Sequence, residues 1–299
     1  MKKRIIITGG AGQDGIILSK LLIKKNYKVY SIINKKKFLK FPKINYLRLN
    51  LLNKDYFEET INNIKPVAII HLAAKNNSAN QSKKMNHKFF YKENFLITKN
   101  IIDYIAENNR KIKLIFAGSS QMFHKKSGYV NENSKFAVSC YYSRYKIDAH
   151  NYLVKIKKKF KLLATTAILF NHDSKYRNPK FLFPRLSKFF HLNQKNSINK
   201  IYQQNIFGDF SHAEDVCRGI FLLLKSKKNP DKIIFSSNKL FSINELIKYG
   251  SKIFKKRIKF SPPNKKSINL IGKNGYAKKL LGWKPYKSPK IAFKEISKK

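Results

Sequence analysis

Carboxylates are scarce in this chain: 16 Asp and Glu stand against 64 Lys and Arg in 299 residues, a formal net charge of +48. Such a balance ordinarily marks a partner of nucleic acid or of an anionic membrane surface. Here the excess is almost entirely lysine, with eight arginines, and it is spread from Lys2 to Lys299 without forming one basic stretch. Asn, Ile, Tyr and Phe are abundant beside it, so the charge reads as A/T-rich codon bias. It implies nonspecific polyanion affinity and no specific nucleic-acid partner. Cysteine is nearly absent too. Cys140 and Cys217 lie far apart with no CxxC or paired histidine, which excludes a disulfide framework and leaves no metal site signalled. Long apolar runs are missing: Ile5 to Ile7 is too short for a signal peptide, and nothing approaches the roughly 18 residues that span a bilayer. A soluble, cytoplasmic protein without membrane insertion is expected.

The 42% of hydrophobic residues suffices for a substantial core, and their spacing alternates between two periods. Arg4 to Ile7, Lys28 to Ile33, Asn45 to Leu49, Val67 to Leu72, Lys113 to Ala117 and Leu162 to Phe170 read as strands. Ile16 to Ile23, Lys54 to Ile64 and Phe95 to Ala106 read as helices between them. Strands alternating with helices imply an α/β fold, a doubly wound parallel sheet of Rossmann type. After residue 170 the alternation breaks down around Pro179 and Pro184. The expected organisation is a dinucleotide-binding domain over 1–170, to which later segments return, and a smaller substrate-binding lobe over 171–299. No solenoid repeat is visible, and the lysine run 155–161 reads as a solvated helix end.

The segment TGGAGQDG sets Gly9, Gly12 and Gly15 between the first strand and the first helix. Glycines there allow a tight turn and close approach of a pyrophosphate, whose charge is received by the amides that open the helix. An NAD enzyme usually ends its second strand in a carboxylate that binds the ribose 2′-hydroxyl. This chain has Asn34 followed by Lys35, Lys36 and Lys37, so NADP is favoured and NAD remains admissible.

Further on, SCYYSRYK sets Tyr142 and Lys146 four residues apart, on one face of a helix. An ammonium beside a phenol favours the phenolate and makes the tyrosine a usable acid or base. About twenty residues upstream, FAGSSQMF offers Ser119, Ser120 and the neutral amide of Gln121.

Together with IHLAA at 70–74, ILFNHDS at 168–174, GDFSHAEDV at 208–216 and AKKLLGWKP at 277–285, these motifs resemble the extended short-chain dehydrogenases/reductases that act on nucleotide sugars. Within that group the chain is most similar to the GDP-mannose 4,6-dehydratase family, on QDG in the glycine loop and FNHDS after the sixth strand. The resemblance spans nearly the whole length. It implies Tyr142 as catalytic base, Lys146 as its partner and ribose ligand, and Ser119 as the hydroxyl on the sugar's 4-oxygen. It further implies Gln13, Asp14, Lys35, Lys36, Asn50 and Leu51 as cofactor contacts, and Leu72, Ala73, Ala74 and His172 as others. Asn171, Arg177 and Arg185 would touch the substrate, and His212 and Asp215 fall in a segment that closes over the nucleotide or is held by structural hydrogen bonds. A GDP-linked sugar and a homodimer or homotetramer are implied as partners.

The chain departs from the pattern where the reaction is decided. The family's C5 base is a glutamate two residues beyond the catalytic hydroxyl, and here that position is Gln121. The aspartate expected at the adenine is Asn50, an expected arginine is Gly208, and a later one near Pro263 is replaced by Lys265 and Lys266. The loop after the second strand, which reaches a neighbouring subunit in the family, is short. Three readings follow: a 4,6-dehydratase homologue (a lyase with an internal redox step), a 4-keto-sugar reductase or 4-epimerase needing no C5 carboxylate, or a noncatalytic NADP- or polyanion-binding protein.

Overall fold

The computed structural model describes residues 1–34, 37–75, 87–123, 128–263 and 267–298. By contact density the chain forms two units: 1–124 with 135–169 and 217–233, and 125–134 with 170–216 and 234–299. Lys35 and Lys36, and likewise Lys265 and Lys266, lie outside the described residues.

The first unit is organised by one sheet. Its strands are β1 (Arg4–Thr8), β2 (Lys28–Ile33), β3 (Ile44–Arg48), β4 (Ala68–His71), β5 (Lys113–Ser119), β6 (Ala164–Leu169) and β7 (Lys232–Phe235). The order across the sheet is β7-β6-β5-β4-β1-β2-β3, and β1 to β6 pair in parallel. Ile5, Ile6 and Ile7 are fully buried, as are Ala68, Ile69 and Ile70, which is why these strands read as unbroken apolar runs: helices cover both faces. The order reverses between β1 and β4, so the carboxyl ends of those strands open the crevice where a doubly wound sheet binds its ligand.

The crossover helices are α1 (Gln13–Lys24), α2 (Lys54–Ile64), α3 (His87–Asn108) and α4 (Tyr141–Phe160). Asp14 in the first turn of α1 and Lys24 in its last suit the helix dipole. Helix α2 is capped by Asn53, whose side chain accepts from Tyr56 N at 3.1 Å. Helix α3 begins eight residues before the expected Phe95. Tyr91 stacks on Phe95 one turn on, and the Asn94 side chain is buried, so aromatic packing extends the helix through a polar-looking stretch. Helix α4 ends in Lys157, Lys158 and Lys159, cations placed at the negative end of the dipole.

The second unit packs α5 (Leu182–His191), α6 (Lys195–Gln203), α8 (Ile243–Ile253) and α10 (Pro289–Ser297) around Phe183, Phe190, Leu246 and Phe293. Helix α9 (Gly275–Leu281) belongs to the same unit, and α7 (Ala213–Lys225) has its first four residues in it and the rest in the first unit. Buried Asp209 gathers this unit's loops: its carboxylate accepts from Ser237 N and Oγ at 2.7 Å, Asn238 N at 3.0 Å and Gly272 N at 3.2 Å. Burial pushes its carboxyl up to about 6 against those four donors.

The glycine loop is where space is tightest. Gly9 takes φ +75°, and Gly10 N donates to Ile32 O at 3.0 Å, pressing the turn onto β2. A Cβ on Gly15 would lie 2.5 Å from Gly9 O and 2.7 Å from Gly10 Cα, backbone that cannot swing aside. Gly15→Ala is therefore expected to cost about 1–3 kcal/mol. Gly275→Ala, at a helical position with nothing within 4 Å, is expected to be neutral or stabilising by up to about 1 kcal/mol. Urea denaturation midpoints of the two variants check the contrast.

Candidate active site

The carboxyl ends of the central strands carry nearly all the chemistry. A cleft of about 620 Å³ is lined by Gly9, Ala11 and Gly12 after β1, by Ile32 to Asn34 at the end of β2, and by Asn50 and Leu51 after β3. Leu72 to Lys75 after β4 close its other wall, with Glu93, Asn94 and Ile97 of α3. Gly12 caps α1 without any side-chain oxygen, so nothing from position 12 competes for the amides that open the helix. The cleft thus fits a dinucleotide: a bare turn for the pyrophosphate and apolar walls for the rings. Of the remaining cofactor candidates, Gln13 is buried and donates to Asp14 Oδ1 at 3.2 Å. Asn50 Oδ1 accepts from Leu52 N at 3.2 Å, shaping its own turn.

Strand β5 delivers Ser119 as its last residue, and a 3₁₀ turn over Ser120–Met122 follows. Ser119 Oγ accepts from Gln121 N at 3.2 Å, a bond that leaves the hydroxyl's own proton uncommitted. Helix α4 comes to meet this turn. Its cap is reciprocal: Cys140 Sγ accepts from Ser143 N at 3.4 Å and Ser143 Oγ accepts from Cys140 N at 2.9 Å. Two contacts then bracket Ser119. Lys146 Nζ donates to Ala117 O at 2.6 Å, and Cys140 Sγ reaches Gln121 Oε1 at 3.8 Å. Half-buried Tyr142 lies one turn before Lys146, whose Nζ is 5.6 Å from its ring centroid. The four catalytic candidates are therefore brought together.

Lys146 departs from the expected ammonium. It is 2% exposed, and burial pulls it down to about 7, so near neutral pH the amine and the ammonium coexist. Ala117 O accepts its proton in either state.

Beneath the pair runs a buried polar chain that the motifs did not flag. Thr8 Oγ1 lies 2.7 Å from His71 Nδ1, His71 Nε2 3.0 Å from Thr98 Oγ1, and Thr98 Oγ1 3.0 Å from Tyr145 OH. Ala73 N donates to Thr8 Oγ1 at 3.1 Å. Burial, reinforced by Lys146, pulls the His71 imidazole down to about 3. A histidine at the end of a strand reading AIIH and a threonine inside an apolar helix were the available signals.

In the second unit, Asn171 is exposed, while His172 is buried with Nδ1 2.6 Å from Phe170 O. Arg177 pairs with Asp173 at 3.0 Å and lies over Phe181 at 3.6 Å; Arg185 is half-buried on α5. His212 and Asp215 make structural hydrogen bonds. Glu214 N donates to His212 Nδ1 at 3.1 Å, and Asp215 Oδ2 accepts from Tyr286 N at 2.9 Å and Lys287 N at 2.7 Å.

Solved structures share this architecture. UDP-glucose 4-epimerase from Brucella ovis in complex with NAD superposes with a TM-score of 0.84 at 17% identity, over 99% of this chain and 98% of that one. dTDP-glucose 4,6-dehydratase from Bacillus anthracis in complex with NAD gives 0.82 at 17% identity, over 99% and 96%. The fold is that of the Rossmann epimerases and dehydratases. At the sequence level, the family model described as GDP-mannose 4,6 dehydratase matches residues 6–299, and the chain belongs to that family. GDP-mannose 4,6 dehydratase 1 of Arabidopsis thaliana is 25% identical over 329 residues, covering 99% of this chain and 88% of the relative. The Homo sapiens GDP-mannose 4,6 dehydratase is 22% identical, covering 96% and 82%.

Burial of Lys146 has a measurable consequence for stability. Its folded value near 7 is below the ordinary 10.5, so between those values the unfolded chain binds more protons at this group than the folded chain does. Stability from this group accordingly rises with pH across that window and is lost as pH falls toward 7. Lys146→Met removes that slope and is expected to raise the melting temperature at pH 6. Thermal unfolding of both proteins from pH 6 to 10 checks it.

Proposed function

We propose that the protein is an NADP-dependent enzyme that transfers a hydride at C4 of a nucleotide-linked sugar, with GDP-mannose as the first substrate to test. The observation that carries this reading is the bracketing of Ser119 between the Lys146–Ala117 and Cys140–Gln121 contacts, with Tyr142 on the same helical turn. Family membership supports an enzyme of nucleotide-sugar dehydratase or epimerase type. The first unit is assigned the dinucleotide. The second supplies the sugar nucleotide's contacts through Asn171, Arg177 and Arg185.

A nicotinamide dinucleotide in the cleft supplies the hydride acceptor and donor. Its NADP form is favoured because the described end of β2 offers Asn34 to the ribose and no carboxylate. Glu93, which also lines the cleft, is engaged by Lys75 Nζ at 2.6 Å. Within this reading Ser119 orients the sugar's 4-oxygen, and Tyr142 takes the proton of the C4 hydroxyl as that carbon is oxidised. Lys146 holds the ribose and biases Tyr142 toward the phenolate when protonated. After the ketone forms at C4, a 4,6-dehydration requires removal of the C5 proton as the C6 hydroxyl leaves, protonated, as water; the hydride then returns to C6 and a proton returns to C5.

Gln121 favours a second reading. Its amide does not accept a proton at neutral pH, and loss of a general base costs about 100- to 10,000-fold. Reduction of a 4-keto sugar or epimerisation at C4 needs only Tyr142, Ser119 and Lys146. The decisive experiment supplies GDP-mannose with NADP in one arm, and a 4-keto-6-deoxy nucleotide sugar with NADPH in the other. Formation of the 4-keto-6-deoxy product, abolished by Tyr142→Phe and accelerated by about 100-fold or more in Gln121→Glu, is the outcome expected of a dehydratase site. NADPH consumption with the keto sugar alone would replace dehydration with reduction. No turnover in either arm, with polyanion binding unaffected by Tyr142→Phe, would overturn the enzymatic reading.

A further inference from the structure

The buried chain from Thr8 to Tyr145 admits one arrangement of protons that satisfies all of its hydrogen bonds. Thr98 Oγ1 carries a single hydrogen, and at 2.9 Å it faces Asn94 O, which can only accept. That hydrogen is thereby committed. The Thr98 oxygen must then accept from both remaining neighbours, so Tyr145 O–H donates to it and His71 presents an N–H at Nε2. At the other end, Ala73 N–H donates to Thr8 Oγ1, whose own hydrogen points at His71 Nδ1, 2.7 Å away. Nδ1 is accordingly an acceptor. The opposite tautomer would leave the Thr8 hydrogen without its acceptor and pull the Thr98 hydrogen from Asn94. An imidazolium would also strand the Thr8 hydrogen, beside a lysine and inside the core.

What this chain connects is informative. Thr8 ends β1 and holds Ala73; Asn94 Oδ1 accepts from Lys75 N at 2.8 Å and its Nδ2 donates to Lys75 O at 2.9 Å. The 72–75 wall of the cleft is thus pinned at both ends by members of one network. Tyr145 lies in the turn of α4 that carries Tyr142 and Lys146. Among the described residues, the groups facing His71 are Thr8 from β1, Thr98 from α3, Lys146 from α4 and Phe116 from β5, stacked at 5.7 Å, with no carboxylate among them; Tyr145 reaches the ring only through Thr98.

We propose that His71 is a positioning residue: as the neutral Nε2–H tautomer it joins the Tyr145 turn of α4 to the 72–75 wall, setting cofactor affinity without touching substrate. The proposal rests on the dinucleotide reading of the cleft, and the test separates the two. In the full-length protein with ¹⁵N-labelled histidine, the resonances lost in His71→Gln identify the ring. They should show a protonated Nε2 and an unprotonated Nδ1, unchanged from pH 5 to 9. In parallel, NADP dissociation constants are measured by fluorescence titration. Thr98→Val and Tyr145→Phe each weaken binding about three- to tenfold, the effect of one lost buried hydrogen bond. Thr98→Ser, which restores the hydroxyl, binds within about twofold of the parent, and the double variant Thr98→Val with Tyr145→Phe binds no worse than the weaker single one. A protonated Nδ1, a titration midpoint above pH 5, or parental affinity in Thr98→Val would overturn the proposal. A parent chain that binds neither NADP nor NAD would instead overturn the assignment of the cleft, while the resonances still decide the tautomer.

Discussion

The bond from Lys146 Nζ to the carbonyl of Ala117 is the constraint on which the geometry of the first unit's candidate site depends. It reaches from the second turn of α4 to the penultimate stretch of β5, inside the core, at 2.6 Å. With the amine end fixed there, the helical turn before it packs Tyr145 inward against Phe116, with Tyr142 against Tyr145. The cap of α4 then falls beside the 3₁₀ turn, and Cys140 meets Gln121. A long, flexible side chain is an expensive anchor to bury, because the charged form loses its water. That cost shows in the depressed proton affinity of Lys146.

The same logic runs through the interior of a chain that is extremely basic outside. Every buried titratable group resolved as strongly shifted is moved toward its neutral form. His71 falls to about 3, His150 to about 4, Lys113 to about 8, and Asp209 rises to about 6. Exposed lysines repel one another through water and salt, where interactions fade within about 10 Å. Buried ones have no such screening. Among the described residues only Lys113 and Lys146 are buried lysines, so nearly all of the +48 charge sits at the surface, and the enclosed groups are shifted toward neutrality without all reaching it at pH 7.

Legibility in the sequence followed the physics of each feature. The sheet was readable because buried parallel strands such as Arg4–Thr8 and Ala68–His71 are continuous in β-branched or apolar residues, and the glycine loop because a close turn tolerates few alternatives. Tyr142 and Lys146 were readable because one helical turn makes their spacing meaningful. The start of α3 was not: its first two turns rest on Tyr91 and Asn94, whose partners Phe95 and Lys75 become neighbours only once the chain is folded. Gly10 shows the same limit. Its need for a missing Cβ comes from Ser31, which that atom would approach to 2.6 Å, a residue of the next strand. The Thr8, His71, Thr98 and Tyr145 chain draws one member from each of four elements. No local pattern holds such a constellation; only the register of β1 against β4 and the packing of α3 on α4 assemble it.

Position 121 differs from its neighbours in how little the fold demands of it. Ser119 caps the 3₁₀ turn, Met122 is fully buried, and Lys146 is tied to the strand. The Gln121 side chain is exposed, and among the described residues its hydrogen-bond partner is a weak thiol, Cys140 Sγ at 3.8 Å. Glutamate and glutamine have nearly the same shape, so exchanging them leaves backbone, cap and core untouched and changes a single chemical capacity, the acceptance of a proton. The two halves of a dehydration are therefore held by different means. In the proposed function, hydride transfer at C4 rests on groups built into the sheet and the helix that docks on it, whereas elimination across C5 and C6 rests on one exposed side chain. On that proposal, a first half that is structurally secured and a second left to an amide favour the reading of oxidation and reduction at C4.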